Sequence, residues 1–430
     1  MPAFVLVAAA AIVGVTLAAC GNSGGDQAAL VDIIDHLAPQ SHHLAWILTF
    51  EQVEEAFDPL SSWGKTWAWW PRGRLCALSA ESEGDFHVFG RWAPTLPAGR
   101  NLTLNLRTPR GQELLRELVA ISDVVTENFT PGTIERMGLG YDAIAAVNPR
   151  VILFSASMLG RGGPNDAQPG FGPVLTALSG HTHLTGWPDR APTSPYGAYT
   201  DFLIPHLAIS AIAGALEHRR ETGKGQHLDL SQLEASLYFV AQPLLDFSAN
   251  DRLNARDGNR DPAMAPHNAY PCSLAGTWCT IACPDDDAWR RLSALIGQPG
   301  LADDPRFASV QDRKRNDDGI DAIVGAWTVS MEAGEVMRRC QEAGVPAGAV
   351  RSSADLFDDQ QLAHREHFVY MDHAAMGRYA SDGNSFKLSA AEPTYRPSPL
   401  LGEHSEHVCL ELLGMDATRF RQIQNDGVLE

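Results

Sequence analysis

Apolar positions take up a regular rhythm near residue 100 and keep it to the carboxyl end. From Asn101 to Leu106 they alternate strictly, with Leu102, Leu104 and Leu106 set against Asn101, Thr103 and Asn105, which predicts a half-buried strand. Thr108-Pro109 then opens a helix, Pro standing at a favoured first-turn position and Leu114, Leu115 and Leu118 forming the apolar face. Asp123 to Asn128 reads as a second strand, and Pro131-Gly132 turns the chain into a helix through Met137. Val151 to Ser155 is a short apolar run suited to a sheet covered on both faces. Strand and helix in alternation at this spacing predict an α/β domain on a parallel sheet. A Gly/Pro-rich passage, Gly160 to Gly172, leads to helix-like residues through Leu184 and a loop from Pro192 to Tyr199. The long apolar segment Asp201 to Arg220 reads as a buried helix. Glu221-Thr-Gly-Lys-Gly-Gln226 makes a tight turn into the strand His227 to Leu230, and Ser231-x-x-Glu234 has capping-box spacing.

Beyond it lies a second region with a strand at Trp278 to Ala282, helices around Trp289 and from Met331 to Ala343, and Gly344-Val-Pro346 as a turn back to the first domain. The expected division is therefore an atypical segment 1–99, the first part of a large domain at 100–261, a small α+β domain at 262–348, and a return to the large domain at 349–430. The leading segment has a different character. Ala3 to Ala19 is apolar apart from Gly14 and Thr16 and ends in Ala18-Ala19-Cys20-Gly21, which resembles a lipoprotein cleavage site. The Met-Pro start carries no Lys or Arg, which argues against export and for a cytoplasmic protein, with membrane attachment only if Cys20 is lipidated. Leu30, Ile33, Ile34 and Leu37 have the spacing of a short amphipathic helix; Phe57 to Arg100 shows no period and reads as loop.

Charge narrows the functions available. With 33 basic against 52 acidic side chains the net charge is −19, a surface that repels phosphate backbones and argues against nucleic-acid binding. The seven cysteines include no CxxC, so they demand neither a disulfide framework nor a zinc site, and buried thiols are expected. His181-x-His183 lacks a third ligand at fitting spacing, so no metal is expected there. The Gly223-Lys-Gly-Gln226 turn lacks the GK[ST] ending and precedes a strand rather than a helix, which excludes a phosphate loop.

Several stretches, taken in order, resemble the family III CoA-transferases. They are Asn101 to Arg107 with Thr108-Pro-x-Gly111, Glu127-Asn128-Phe129-x-Pro131-Gly132, Arg136-Met-Gly-Leu-Gly-Tyr141, Asn148-Pro-Arg150, Glu221 to Gln226 with Asp229-Leu-Ser231, Ala302-Asp-Asp-Pro-Arg-Phe307, Ala343-Gly-Val-Pro346 and Leu400-Leu-Gly-Glu-His404. The resemblance, which runs from about Arg100 to Glu430, implies a Rossmann-like large domain with a smaller α+β domain and an interlocked homodimer. It implies transfer of CoA from an acyl-CoA to a carboxylic acid, with the CoA thioester as substrate and no permanently bound cofactor. Within Tyr196-Gly-Ala-Tyr-Thr-Asp201, Asp201 matches the family's nucleophile, and Arg107, Asn128, Phe129, Arg136 and Met137 match positions that contact CoA. A carboxylate nucleophile suits the chemistry, because a mixed anhydride divides one difficult acyl transfer into easier steps. Gly170-Phe-Gly-Pro173 stands where the racemase branch carries a His-Asp pair, and neither Phe nor Gly can move a proton, which excludes racemisation. Ser157 replaces a lysine common in the family, and Pro205 replaces a glycine, so the helix after Asp201 is expected to start late or bend. The family's opening strand, Gly-Pro turn and helix have no counterpart in residues 1–99; the runner-up reading is accordingly a catalytically impaired relative, exported as a lipoprotein.

Overall fold

The computed structural model describes residues 66–69, 75–78 and 100–429, less 197, 376, 390–394, 398 and 401. The apolar leader, Cys20 and the helix expected near Leu30 lie outside the described residues, and with them the features that motivated the lipoprotein reading. The described residues fall into two compact units, one of those within 1–181, 194–251 and 366–430, the other of residues 182–193 and 252–365.

In chain order the first unit contains β1 (Thr66–Trp69), β2 (Leu75–Leu78), β3 (Arg100–Leu102), α1 (Pro109–Ala120), β4 (Val124–Glu127), α2 (Thr133–Arg136), α3 (Tyr141–Val147), β5 (Ile152–Ser157), α4 (Gly172–Leu178), α5 (Tyr199–Thr222), β6 (Gln226–Ser231), α6 (Gln232–Leu237) and α7 (Ala241–Asn250). One sheet runs in the order β3-β2-β1-β4-β5-β6. β4, β5 and β6 are parallel, as the strand–helix alternation predicts. β1 is antiparallel to both neighbours, so the sheet is mixed. The aperiodic stretch read as loop thus supplies two strands, each four residues long and too short for a period of two to declare itself.

β5 is buried at all six positions, which is why it reads as a continuous apolar run. The segment after β3 departs from expectation. The strand itself is only three residues long, and Asn101 and Asn105 are buried along with Leu102, Leu104 and Leu106. Both asparagines are covered because both are bonded: Gly402 N–H donates to Asn101 Oδ1, and Asn105 Oδ1 accepts from Arg107 N–H at 3.1 Å while its own N–H donates to the Val428 carbonyl at 2.8 Å. Thr108 Oγ1 caps α1 by accepting from Gly111 N–H, and a methyl group at Gly111 would overlap the Asn105 carbonyl. Asn148 Nδ2 donates to the carbonyls of Val119 and Ser122, tying the end of α1 to the entrance of β5.

α5 is longer than predicted and far less buried. It begins at Tyr199, ahead of Pro205, and passes through that proline with one helical hydrogen bond missing. Only Thr200, Asp201, Ile204 and Ala215 are buried.

The second unit holds β7 (His267–Pro271), β8 (Trp278–Ala282), α8 (Asp286–Leu295), α9 (Val310–Arg315), α10 (Asp317–Thr328), α11 (Ala333–Glu342) and β9 (Ala347–Ala349). Its antiparallel sheet, β7-β8-β9, packs with the helices around Tyr270, Ile281, Trp289, Leu292, Phe307, Val324 and Val336. Gly344, at φ +73°, turns the chain into β9 of this same sheet rather than out of the unit. Cys272, Cys279, Cys283 and Cys340 are buried and free, and burial pushes the Cys283 and Cys340 thiols up to about 12. Arg313 is fully buried. Its Nε donates to the Ala265 carbonyl at 2.6 Å, Nη1 donates to the Phe307 carbonyl at 3.1 Å, and Asp286 pairs with it at 2.9 Å.

The chain then forms the hairpin β10 (Phe368–His373) and β11 (Gly377–Asp382) and ends in α12 (Ala417–Asn425). Val408, Cys409, Met415, Ile423 and Val428 join Leu102, Leu104, Leu114 and Leu118 in the core of the first unit.

Candidate active site

The carboxyl ends of β4, β5 and β6 lie side by side, the edge at which parallel α/β sheets bind ligands. Glu127 closes β4 and is 1% exposed. Its Oε2 accepts from Phe129 N–H at 2.9 Å and its Oε1 meets Arg161 Nη2 at 2.5 Å. Arg161 also pairs with Glu135 at 2.6 Å, and its backbone N–H donates to Asp229 at 3.2 Å. Ser155 Oγ lies 2.9 Å from His227 Nε2, and the imidazole stacks on Tyr141. Burial pushes the Glu127 carboxyl above the usual carboxylate range, against the pull of Ser155 and Arg161; burial, aided by Arg161, holds His227 below its ordinary value. This network fixes the loop that follows β4.

Four of the residues matched to CoA contacts lie on that loop and the short helix after it. Asn128 and Phe129 follow β4 directly; Gly132, at φ +83°, admits the turn into α2, which carries Arg136 and is capped by Met137. Phe129 and Met137 line an apolar pocket with Leu106, Leu115, Val119, Val125 and Ile134. Arg107, the fifth, is the exposed residue that follows Leu106, which lines that pocket. The Arg136 side chain is exposed, donates to Thr133 Oγ1 at 2.8 Å, and has no carboxylate partner among the described residues. An uncommitted guanidinium is suited to a phosphate. Ser157 Oγ, buried at the end of β5, finds no hydrogen-bond partner among the described residues.

Asp201 is placed by other elements, in the first turn of α5, where it is 2% exposed. Its N–H donates to the Ala198 carbonyl at 2.9 Å. Gly172, the first residue of α4, lies so close that a methyl group there would overlap both Ala198 Cβ and Asp201 Oδ2. Thr176 Oγ1 donates to the Gly172 carbonyl at 2.8 Å and lies 3.2 Å from Thr200 Oγ1, joining the two helices beside Asp201. His181 Nδ1 lies 2.9 Å from Ser179 Oγ, its ring is near Tyr199, and burial lowers its pKa. No group of three or more His, Cys, Asp or Glu among the described residues could hold a metal ion.

Two residues of the site, Glu127 and Arg161, carry no role in the sequence reading, and Gly172 enters it only within the stretch that argues against racemisation. Glu127 stands inside a matched motif, and an acid closing a wholly buried strand is a signal for it. Arg161 and Gly172 sit in the Gly/Pro-rich passage, where nothing in the spacing distinguishes them.

The geometry agrees with the comparisons. A family model for CoA-transferase family III matches residues 96–405. A succinyl-CoA–D-citramalate CoA-transferase of Chloroflexus aurantiacus is 32% identical over 340 residues, 79% of this chain and 84% of that protein. A formyl-CoA:oxalate CoA-transferase of Streptomyces coelicolor is 30% identical over 351 residues, 77% of this chain and 84% of that protein. Among solved structures, a CAIB/BAIF family protein from Brucella suis superposes with a TM-score of 0.68 at 31% identity, covering 73% of this chain and 82% of that one. The chain belongs to the family III CoA-transferases. It is an enzyme of CoA transfer between acyl-CoA thioesters and carboxylates.

Proposed function

We propose that this enzyme transfers CoA from an acyl-CoA to a small carboxylic acid with Asp201 as covalent nucleophile. The observation that carries the reading is a buried carboxylate in the first turn of α5, closely flanked by Gly172 and Ala198. The Asp201 carboxylate attacks the thioester carbonyl; the C–S bond breaks, leaving a mixed anhydride and the CoA thiolate. That thiolate attacks the aspartyl carbonyl, the anhydride C–O bond breaks, and the donor acid departs, leaving CoA as a thioester on Asp201. The acceptor carboxylate then attacks this thioester and expels the thiolate, which takes the acceptor acyl group from the second anhydride and regenerates Asp201. Atoms and charge balance without any added proton, redox partner or water. Burial is useful here because water would hydrolyse either intermediate.

Arg107, Asn128, Phe129, Arg136 and Met137 bind the CoA portion, Arg136 through its uncommitted guanidinium and Phe129 and Met137 through apolar contact. Arg136→Ala should raise the KM for acyl-CoA about tenfold and leave kcat nearly unchanged, the signature of losing a charged contact worth about 1.5 kcal/mol in ground and transition state alike. Steady-state kinetics with succinyl-CoA checks it.

The working form is a homodimer. The support for this lies in the apolar surface of the first unit: α7 has no buried residue although it carries Leu244, Leu245 and Phe247, Tyr238 and Phe239 precede it exposed, and Ile209 on α5 is 60% exposed. An uncovered set of this size in a soluble enzyme marks an interface. Leu245→Glu combined with Phe247→Glu should convert the dimer to a monomer in size-exclusion chromatography with light scattering.

The activity is tested with a matrix of succinyl-, formyl- and acetyl-CoA against citramalate, malate, oxalate and other short acids, reading CoA exchange by mass spectrometry. Exchange for at least one pair supports the function, and none across the matrix opposes it.

A further inference from the structure

We infer that Gly172 is the positioning residue for the Asp201 carboxylate, held in place by the Thr176–Thr200 pair; the inference rests on Asp201 acting as the nucleophile. The position admits no side chain. A Cβ at residue 172 would overlap Ala198 Cβ and Asp201 Oδ2 and lie 2.8 Å from Ala198 Cα. Gly172 is not in the left-handed region, so its lack of a side chain answers to a close approach and not to backbone strain.

The carboxylate therefore occupies the volume that any other residue at 172 would fill. Asp201 Oδ2 is pressed against the backbone of α4, and this wall limits the rotamers its side chain can adopt. A nucleophile with a restricted carboxylate loses less freedom on reaching the attack geometry, and a misplacement of about 1 Å can cost about a hundredfold in rate. The wall is itself anchored. Thr176 Oγ1 donates to the Gly172 carbonyl at 2.8 Å, and its contact with Thr200 Oγ1 at 3.2 Å binds α4 to the first turn of α5, one residue from Asp201. Thr176 and Thr200 are fully buried, so water does not compete for these hydroxyls. Gly172 touches neither thioester nor acceptor in this scheme. It acts through Asp201.

Adding a methyl group at 172 should push the carboxylate away, and the first effect should fall on the acylation step. The experiment uses the full-length protein with succinyl-, formyl- and acetyl-CoA as probes, following hydroxylamine-trapped label on Asp201 by peptide mass spectrometry on a rapid time course. Gly172→Ala should form the adduct at least tenfold more slowly than wild type, with the KM for acyl-CoA within about twofold. Because Gly172→Ala also clashes with Ala198, the double variant Gly172→Ala/Ala198→Gly relieves that contact while keeping the overlap with Asp201 Oδ2; it should melt near wild type and remain slow. Thr176→Val should lower kcat at unchanged KM, and Thr176→Ser, which keeps the hydroxyl, should restore it, a rescue that simple loss of packing does not predict. Adduct formation at the wild-type rate in the double variant, or equal kcat in Thr176→Val and Thr176→Ser, overturns the inference while leaving the nucleophile in place. Absence of any adduct in the wild type refutes the Asp201 reading and this inference with it.

Discussion

Asp201→Asn should reduce kcat by at least about three orders of magnitude, equivalent to about 4 kcal/mol of barrier, while the fold and acyl-CoA binding persist. The amide has the shape of the carboxylate and sits in the same space between Gly172 and Ala198, so packing is conserved. What it lacks is an anionic oxygen able to open a thioester. Both the anhydride and the enzyme-bound CoA thioester need that oxygen, so the loss is not confined to one half-reaction. Measured CoA exchange should fall to background with every donor, while the KM-independent binding of acyl-CoA by calorimetry stays within a few fold. Retention of more than a tenth of the wild-type kcat would be incompatible with covalent catalysis by this side chain.

The second large effect lies far from that chemistry. Arg313→Met should destabilise the second unit by about 3 kcal/mol, roughly a 10 °C fall in its melting temperature. The methionine fills much of the volume but leaves the carbonyls of Ala265 and Phe307 without the donors they now have, in a region where no water reaches them. Asp286 is half exposed and can be solvated when its partner is gone, so the main loss is of buried hydrogen bonds. Calorimetry of the whole chain should show the second unit's transition moving down and the first unit's staying in place. Coincident melting at the wild-type temperature would contradict the role given to Arg313.

These two residues illustrate what the sequence discloses. Ala302 to Phe307 is a legible family motif, and its meaning proves to be structural: Phe307 fills the core of the second unit while its carbonyl is held by Arg313. Asn148 is similar, a recognisable motif residue that pins α1 to β5. α1 and β5 were readable because their burial follows a chain-local period of 3.6 in the one and an almost wholly apolar run in the other. The burial of Asn101 was not readable, since the group that satisfies its side chain, Gly402 N–H, comes from some three hundred residues away, as does the Val428 carbonyl that accepts from Asn105 N–H. The exposure of α5 was misread for a related reason. Composition reports that a helix has an apolar surface but not whether the same chain covers it.

At the site, Asp201 and the five positions matched to CoA contacts rest on motif order, and the structure adds the physical surroundings of each. Gly172 stands within Gly170 to Pro173, the stretch whose residues argue against racemisation. Its closeness to Asp201 is a tertiary fact that no spacing could reveal. The same holds for Glu127 and Arg161, whose pairing joins the end of β4 to a loop 34 residues later.

The account depends most directly on a covalent bond at Asp201. The decisive measurement incubates the wild-type protein with succinyl-, formyl- and acetyl-CoA, quenches with hydroxylamine, and maps the modified residue by peptide mass spectrometry. The account predicts a hydroxamate on Asp201 with at least one donor, dependent on acyl-CoA and absent from Asp201→Asn. Active CoA exchange with no adduct on Asp201, or an adduct on a different residue, would contradict it.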